Sequence, residues 1–129
     1  MNRTRVEEWE AGLRQALDAV DHALEERFGD LLPRHPQRPR RHATANPKYD
    51  GLFAVDGKFS MGLVSQAGPG YVIDIRIASV RSPTPAQREA VLAEAEQALA
   101  EALPAAFPGK HLQVHREGRV LRVTGDLSL

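Results

Sequence analysis

The chain has 129 residues, 42% of them hydrophobic and 26% charged, with seventeen basic residues balanced by seventeen acidic ones. That length suits a single domain, residues 1–129, able to remove about two-thirds of its unfolded surface from water. Zero net charge gives no long-range field for nucleic acid or anionic lipid, so any such attraction must be local. The absence of cysteine excludes disulfide and thiolate chemistry.

The N-terminus, MNRTRVEEWE, is charged from the start and lacks an apolar signal core. No apolar run approaches the ~20 residues that span a bilayer. The expectation is a soluble, cytoplasmic protein. Arginine outnumbers lysine fourteen to three, a bias that GC-rich bacterial coding produces.

Thr4 and Glu7 have the spacing of a capping box, in which each side chain satisfies the other residue's backbone N–H. Val6, Trp9, Leu13, Leu17, Val20, Leu24 and Phe28 then recur every three or four residues. Gly29 suits a left-handed C-cap. This predicts an amphipathic helix over residues 5–28, about 36 Å long, with an acidic outer face formed by Glu7, Glu8, Glu10, Asp18, Asp21, Glu25 and Glu26.

"LLPRHPQRPRRHATANPK" follows, with four prolines, four arginines and no acid. Arg34, Arg38, Arg40, Arg41 and Lys48 concentrate five positive charges in residues 33–48, leaving the remainder at −5. Three readings compete: a Pro-stiffened connector, a strip lying along the carboxylates of the first helix, and an anion or nucleic-acid contact. The connector is favoured because proline resists both helix and central strand. Against nucleic acid, no aromatic residue lies between Leu32 and Tyr49 to stack on a base.

In "YDGLFAVDGKFSMGLV", Asp56-Gly57 is a tight-turn signal. A hairpin there pairs Ala54 with Phe59 and Leu52 with Met61 on one face. Tyr49, Phe53, Val55 and Val64 fall on the other, around the facing glycines Gly51 and Gly62. After "SQAGPG", "YVIDIRIASV" alternates as a strand with Tyr71, Ile73, Ile75 and Ile77 inward. Asp74 and Arg76, about 6.6 Å apart along that strand, are expected to pair.

Thr84, Pro85 and Gln87 open a second helix with another capping box. Val91, Leu92, Ala95, Leu99 and Leu103 form its apolar stripe, and Pro104 is expected to end it. "HLQVHREGRVLRVTG" predicts a hairpin about Glu117-Gly118, with Leu112 opposite Val123 and Val114 opposite Leu121. The predicted order is α-β-β-β-α-β-β: an α+β domain with a five-stranded antiparallel sheet packed against two helices.

No catalytic motif is present. "GKFSMG" departs from a phosphate loop because Phe59 replaces the hydroxyl residue and a strand follows. His111 and His115 would lie about 13 Å apart on one strand, too far to share a zinc ion, so no metal or cofactor is expected. The favoured function is a non-enzymatic protein-interaction module, self-associating as a homodimer or binding another protein. Its contact face would comprise Tyr49, Gly51, Phe53, Val55, Gly62 and Val64. The alternative is a nucleic-acid or anion binder using Arg34, Arg38, Arg40, Arg41 and Lys48.

Overall fold

The computed structural model describes residues 2–60 and 69–125, with side chains from residue 7 onward. Helix α1 (Asn2–Phe28) leads through a loop and a single 3-10 turn (Pro47–Tyr49) to strands β1 (Phe53–Ser60) and β2 (Gly70–Ile77). Helix α2 (Pro85–Ala106) and strands β3 (Leu112–Glu117) and β4 (Val120–Gly125) follow. The architecture is α+β, and among the described residues the sheet has four strands rather than the five expected, in the order β1-β2-β4-β3. All the paired strands are antiparallel.

The missing strand comes from the tight-turn reading of Asp56-Gly57. These residues lie in the middle of β1, opposite Asp74 and Ile73 of β2, and the pairing runs without a break from Phe53↔Ile77 to Ser60↔Gly70. Gly57 has no positive φ. It is needed for a different reason: a Cβ there would stand 2.9 Å from Ile73 Cδ1 and 3.3 Å from Leu17 Cδ1. Glycine lets α1 approach the sheet closely at this point. β1 ends at Ser60, opposite Gly70 of β2; Met61, Gly62 and Val64 lie outside the described residues.

A continuous β1 assigns its faces by residue parity. Phe53 and Val55 are fully buried, and with Ile73, Leu121 and Val123 they meet the stripe of α1 (Trp9, Leu13, Leu17, Val20, Leu24). Helix α2 adds Val91, Ala95, Leu99 and Leu103 to the same core. Trp9 lies against Phe107 at 4.3 Å and Tyr71 at 6.0 Å between ring centroids. Both helices therefore serve one face of the sheet. Its opposite face carries Ala54, Asp56 and Lys58 of β1 with Val72, Asp74 and Arg76 of β2.

Three boundary expectations also change. Helix α1 begins at Asn2, which places Thr4 inside it rather than at its cap. Gly29 follows α1 without a positive φ, its N–H donating to Glu25 O at 3.0 Å. Pro104 lies within α2, which runs on to Ala106. The α2 capping box forms as read, with the Gln87 N–H donating to Thr84 Oγ1 at 3.1 Å and the Thr84 N–H donating to Gln87 Oε1 at 2.9 Å.

In the second hairpin Glu117 pairs with Val120, so the turn residues are Gly118, at φ +63°, and Arg119. Val114 faces Val123 and Leu112 faces Gly125. The register is two residues from the expected one, and an even slip keeps every side chain on its face.

Candidate functional site

Two regions hold chemically distinctive side chains: the sheet face turned away from the helices, and the seam where α1 meets residues 38–53.

On the open sheet face, Asp56 stands opposite Asp74 across the β1–β2 pair, and Ala54 opposite Arg76. Lys48 Nζ reaches Asp56 at 2.9 Å, and this hydrogen bond holds the Asp56 carboxyl below the usual carboxylate range. Asp74 and Arg76 are both exposed, and neither has an ion-pair partner among the described residues. The pairing of these two expected from their spacing is absent. A concavity of about 430 Å3, lined by His35, Arg38, Ala54, Arg76 and Ala78, lies beside one of about 240 Å3 that includes Lys48, Tyr49, Asp56 and Asp74. Arg76 and Ala54 belong to both.

The contact face expected from sequence is redistributed. Phe53 and Val55 are core residues, and Gly51 lies under the Glu25 carboxylate with φ +72°. Gly62 and Val64 fall outside the described residues. Tyr49 alone remains exposed, at 56%. The cause is parity: once β1 runs through Asp56-Gly57, its odd-numbered residues turn toward the helices.

The cations of the Pro/Arg segment are mostly committed within the fold. Arg38 donates to four backbone carbonyls, those of Lys48 (2.8 Å), Asp50, Gly51 and Phe53 (3.0 Å each). Arg41 pairs with Glu26 at 3.1 Å and contacts His22 Nδ1 at 2.7 Å. Lys48 is held by Asp56, and Arg34 Nε donates to Arg38 O at 2.9 Å. Arg40 is exposed. Arg34, Arg38, Arg41 and Lys48 thus each have an acceptor within the fold.

The seam holds residues that sequence reading missed. Asp21, Glu25 and Asp50 are 2%, 8% and 3% exposed. Asp21 and Glu25 belong to the helix face expected to be solvated. Burial raises both carboxyls, Asp21 to about 7. Glu25, Asp50 and Asp18 add repulsion at Asp21, and Arg38 opposes them. Backbone N–H groups of Phe53 and Leu52 pull Glu25 the other way.

Burial also acts to raise Asp50, but hydrogen bonds from the Thr44 hydroxyl (2.7 Å) and N–H (3.0 Å), with the His42 N–H, outweigh it and leave its carboxyl low. His42 holds φ +71°, uncommon for a residue with a side chain. A signal was available: Asp21 follows Leu17 by four residues and precedes Leu24 by three, inside the arc of the apolar stripe.

Among the described residues, no helix is long and apolar enough to cross a membrane. A family model described as "Uncharacterised protein" matches residues 4–125. An uncharacterized protein of Borreliella burgdorferi is 33% identical over 125 residues, covering 97% of this chain and 98% of that relative. No solved structure matches.

Proposed function

The chain belongs to that family of uncharacterised proteins, and from this premise we propose that it is a non-enzymatic interaction module that forms a homodimer through the open face of its sheet. The observation that carries the reading is the exposed Asp74–Arg76 couple, with one charge of each sign and no ion-pair partner among the described residues. A two-fold contact is self-complementary, so Asp74 of one copy meets Arg76 of the other and the converse holds at once. Such pairing offsets the desolvation that burying either charge alone would cost. Tyr49, exposed beside the Lys48–Asp56 pair, supplies apolar area at the edge of the contact.

Sedimentation velocity from about 1 to 100 μM tests this, since 1 μM corresponds to roughly 8 kcal/mol of association. The wild type should move from monomer to dimer across the series. Arg76→Asp, which opposes acids to acids, should hold it monomeric. Adding Asp74→Arg to that variant should restore the dimer, because exchanging the two charges preserves reciprocal pairing. A wild type that stays monomeric throughout, or an Arg76→Asp variant that dimerises unchanged, would refute the proposal.

A further inference from the structure

The pairing of β2 with β4 stops early. It runs from Tyr71↔Val123 to Ile73↔Leu121, whereas β2 continues to Ile77 and β4 begins only at Val120. On its other side β2 stays paired with β1 as far as Ile77, and just beyond it the Ala78 N–H donates to Leu52 O at 2.7 Å. Backbone groups of alternate residues in a strand bond the same neighbour. The even-numbered residues of β2 therefore bond β1, and the odd-numbered ones turn toward β4. Ile75 and Ile77 present an edge with no strand beside it. The Ile75 N–H and C=O and the Ile77 N–H have no hydrogen bond among the described residues, while Ile77 O accepts the Ser79 N–H at 3.0 Å.

The side chains at this edge are distinctive. Ile75 and Ile77 are half-buried, Val91 and Leu92 of α2 are buried, and with Arg88 and Arg119 they line one shallow recess of about 10 Å3. Ile75 and Arg119 would be the next pair in register if β4 continued, and both line the recess. That volume admits about one water-sized group, so an occupant lays a slender stem across the floor and keeps its bulk outside. The guanidiniums of Arg88 and Arg119 make no hydrogen bond or ion pair among the described residues. The acids of the flanking elements are committed elsewhere. Glu89 and Glu96 both contact Arg116, at 2.7 and 3.4 Å, Glu117 pairs with Arg122 at 3.0 Å, and Glu94 pairs with Arg27 at 3.0 Å. Counted in full, those four acids and three arginines carry −1, so Arg88 and Arg119 leave the rim at +1. Asp74 and Arg76, on the opposite sheet face, cancel each other.

We propose that the open edge of β2 is a docking site for an extended acidic peptide of a partner protein, which adds as a short strand beside Ile75 and Ile77 and sets two glutamates, two residues apart, against Arg88 and Arg119. An unpaired strand edge is a template for another chain, and main-chain bonds to it supply affinity while pockets for alternate side chains supply specificity. Residues directly opposite in a sheet share a face, so the peptide residue beside Ile75 points toward the recess. Glutamate suits that place: its methylenes lie on the isoleucines and its carboxylate accepts from a guanidinium fork. The site goes beyond the sheet-face dimer, because the Asp74 and Arg76 side chains belong to the other face, and peptide binding is read without reference to oligomeric state.

Fluorescence anisotropy of the full chain with a labelled Thr-Glu-Thr-Glu-Thr amide tests the proposal. Replacing both glutamates of the peptide by glutamine should weaken binding at least about tenfold, as should Arg88→Gln with Arg119→Gln in the protein. A peptide N-methylated at both glutamates keeps its charge but loses its backbone donors, and should not bind. Labelled oligothymidylate of the same net charge or greater should bind more weakly than the glutamate peptide.

Amide hydrogen exchange in the wild type gives an answer even if the double variant fails to fold. With the peptide at tenfold excess over its Kd, exchange at Ile75 and Ile77 should slow by about tenfold, while Asp74 and Arg76, already bonded to β1, should be unchanged. No binding of the glutamate peptide at about 1 mM, equal binding of its glutamine or N-methylated form, tighter binding of the oligothymidylate, or unchanged exchange at Ile75 and Ile77 would overturn the assignment.

Discussion

Glu25 Oε1 accepts the backbone N–H of Phe53 at 2.8 Å, tying the last turn of α1 to the first residue of β1 across 28 positions of sequence. The same carboxylate lies over Gly51, whose φ of +72° brings the backbone beneath it. One acid thus sets where β1 starts and how closely the Pro/Arg segment can approach the helix. Glu25→Ala leaves the Phe53 N–H buried without an acceptor, which costs about 1–3 kcal/mol. Glu25→Gln keeps an oxygen at that place and removes the charge, so it should cost much less. Urea midpoints of the two variants check the difference; equal losses would mean that the charge, not the acceptor, matters.

Arg38 closes the other side of the same junction by gathering four carbonyls that no strand partner satisfies. A lysine carries the charge but has no planar fork with which to reach them. Arg38→Lys and Arg38→Ala should both destabilise, by about 2–4 kcal/mol for alanine. The amides of residues 48–53 should lose hydrogen-exchange protection well before those of β4. Uniform loss across the sheet would show that Arg38 acts globally.

Asp21 makes stability depend on pH with a definite sign. Its folded carboxyl lies at about 7 and its ordinary value is 3.8, so the folded state holds the proton over that window and the unfolded state does not. Stability from this group falls as pH rises from about 4 to about 7 and is flat above. The total is on the order of 4 kcal/mol. Glu25 is shifted the same way; Asp50, shifted down, contributes stability that is lost only as pH falls below the usual carboxylate range. Asp21→Asn should match the wild type near pH 4 and exceed it at pH 8. Urea denaturation at both values measures this, and a variant less stable at pH 8 would contradict it.

Gly57 tests the close approach of α1 to the sheet. Its missing Cβ would fall between Ile73, Leu17 and Leu13. Gly57→Val should cost about 1–3 kcal/mol by overpacking, although valine is the better strand former. Gly57→Ala should cost less, because the nearest atoms are the ends of flexible side chains. Thermal unfolding of both variants is the measurement; a stabilised valine variant would mean that α1 has room to retreat.

Several elements were legible because their signals are local. The stripe of α2, its Thr84–Gln87 box and the inward residues of β2 follow from a period and a spacing within a few positions of one another. The second hairpin kept its faces despite a two-residue register error, because parity survives an even shift. Asp56-Gly57 misled for the converse reason: the pair resembles a turn locally, but β1 continues because β2 supplies partners on both sides of it and α1 fills the space that a side chain would take. The open sheet face was legible only after that correction, which moved Phe53 and Val55 inward.

The sequence alone determined the apolar stripes of the two helices, the alternation of β2 and of the second hairpin, and that two helical stripes need a sheet to cover them, since hydrophobic periodicity is written residue by residue. Tertiary structure alone decided that Asp21, Glu25 and Asp50 are enclosed, that Arg38 is occupied with backbone carbonyls, and that Asp74 and Arg76 face outward. Those outcomes depend on which distant segment packs over each group. Burial of a charge is set by what covers it, and nothing in the neighbouring letters records that.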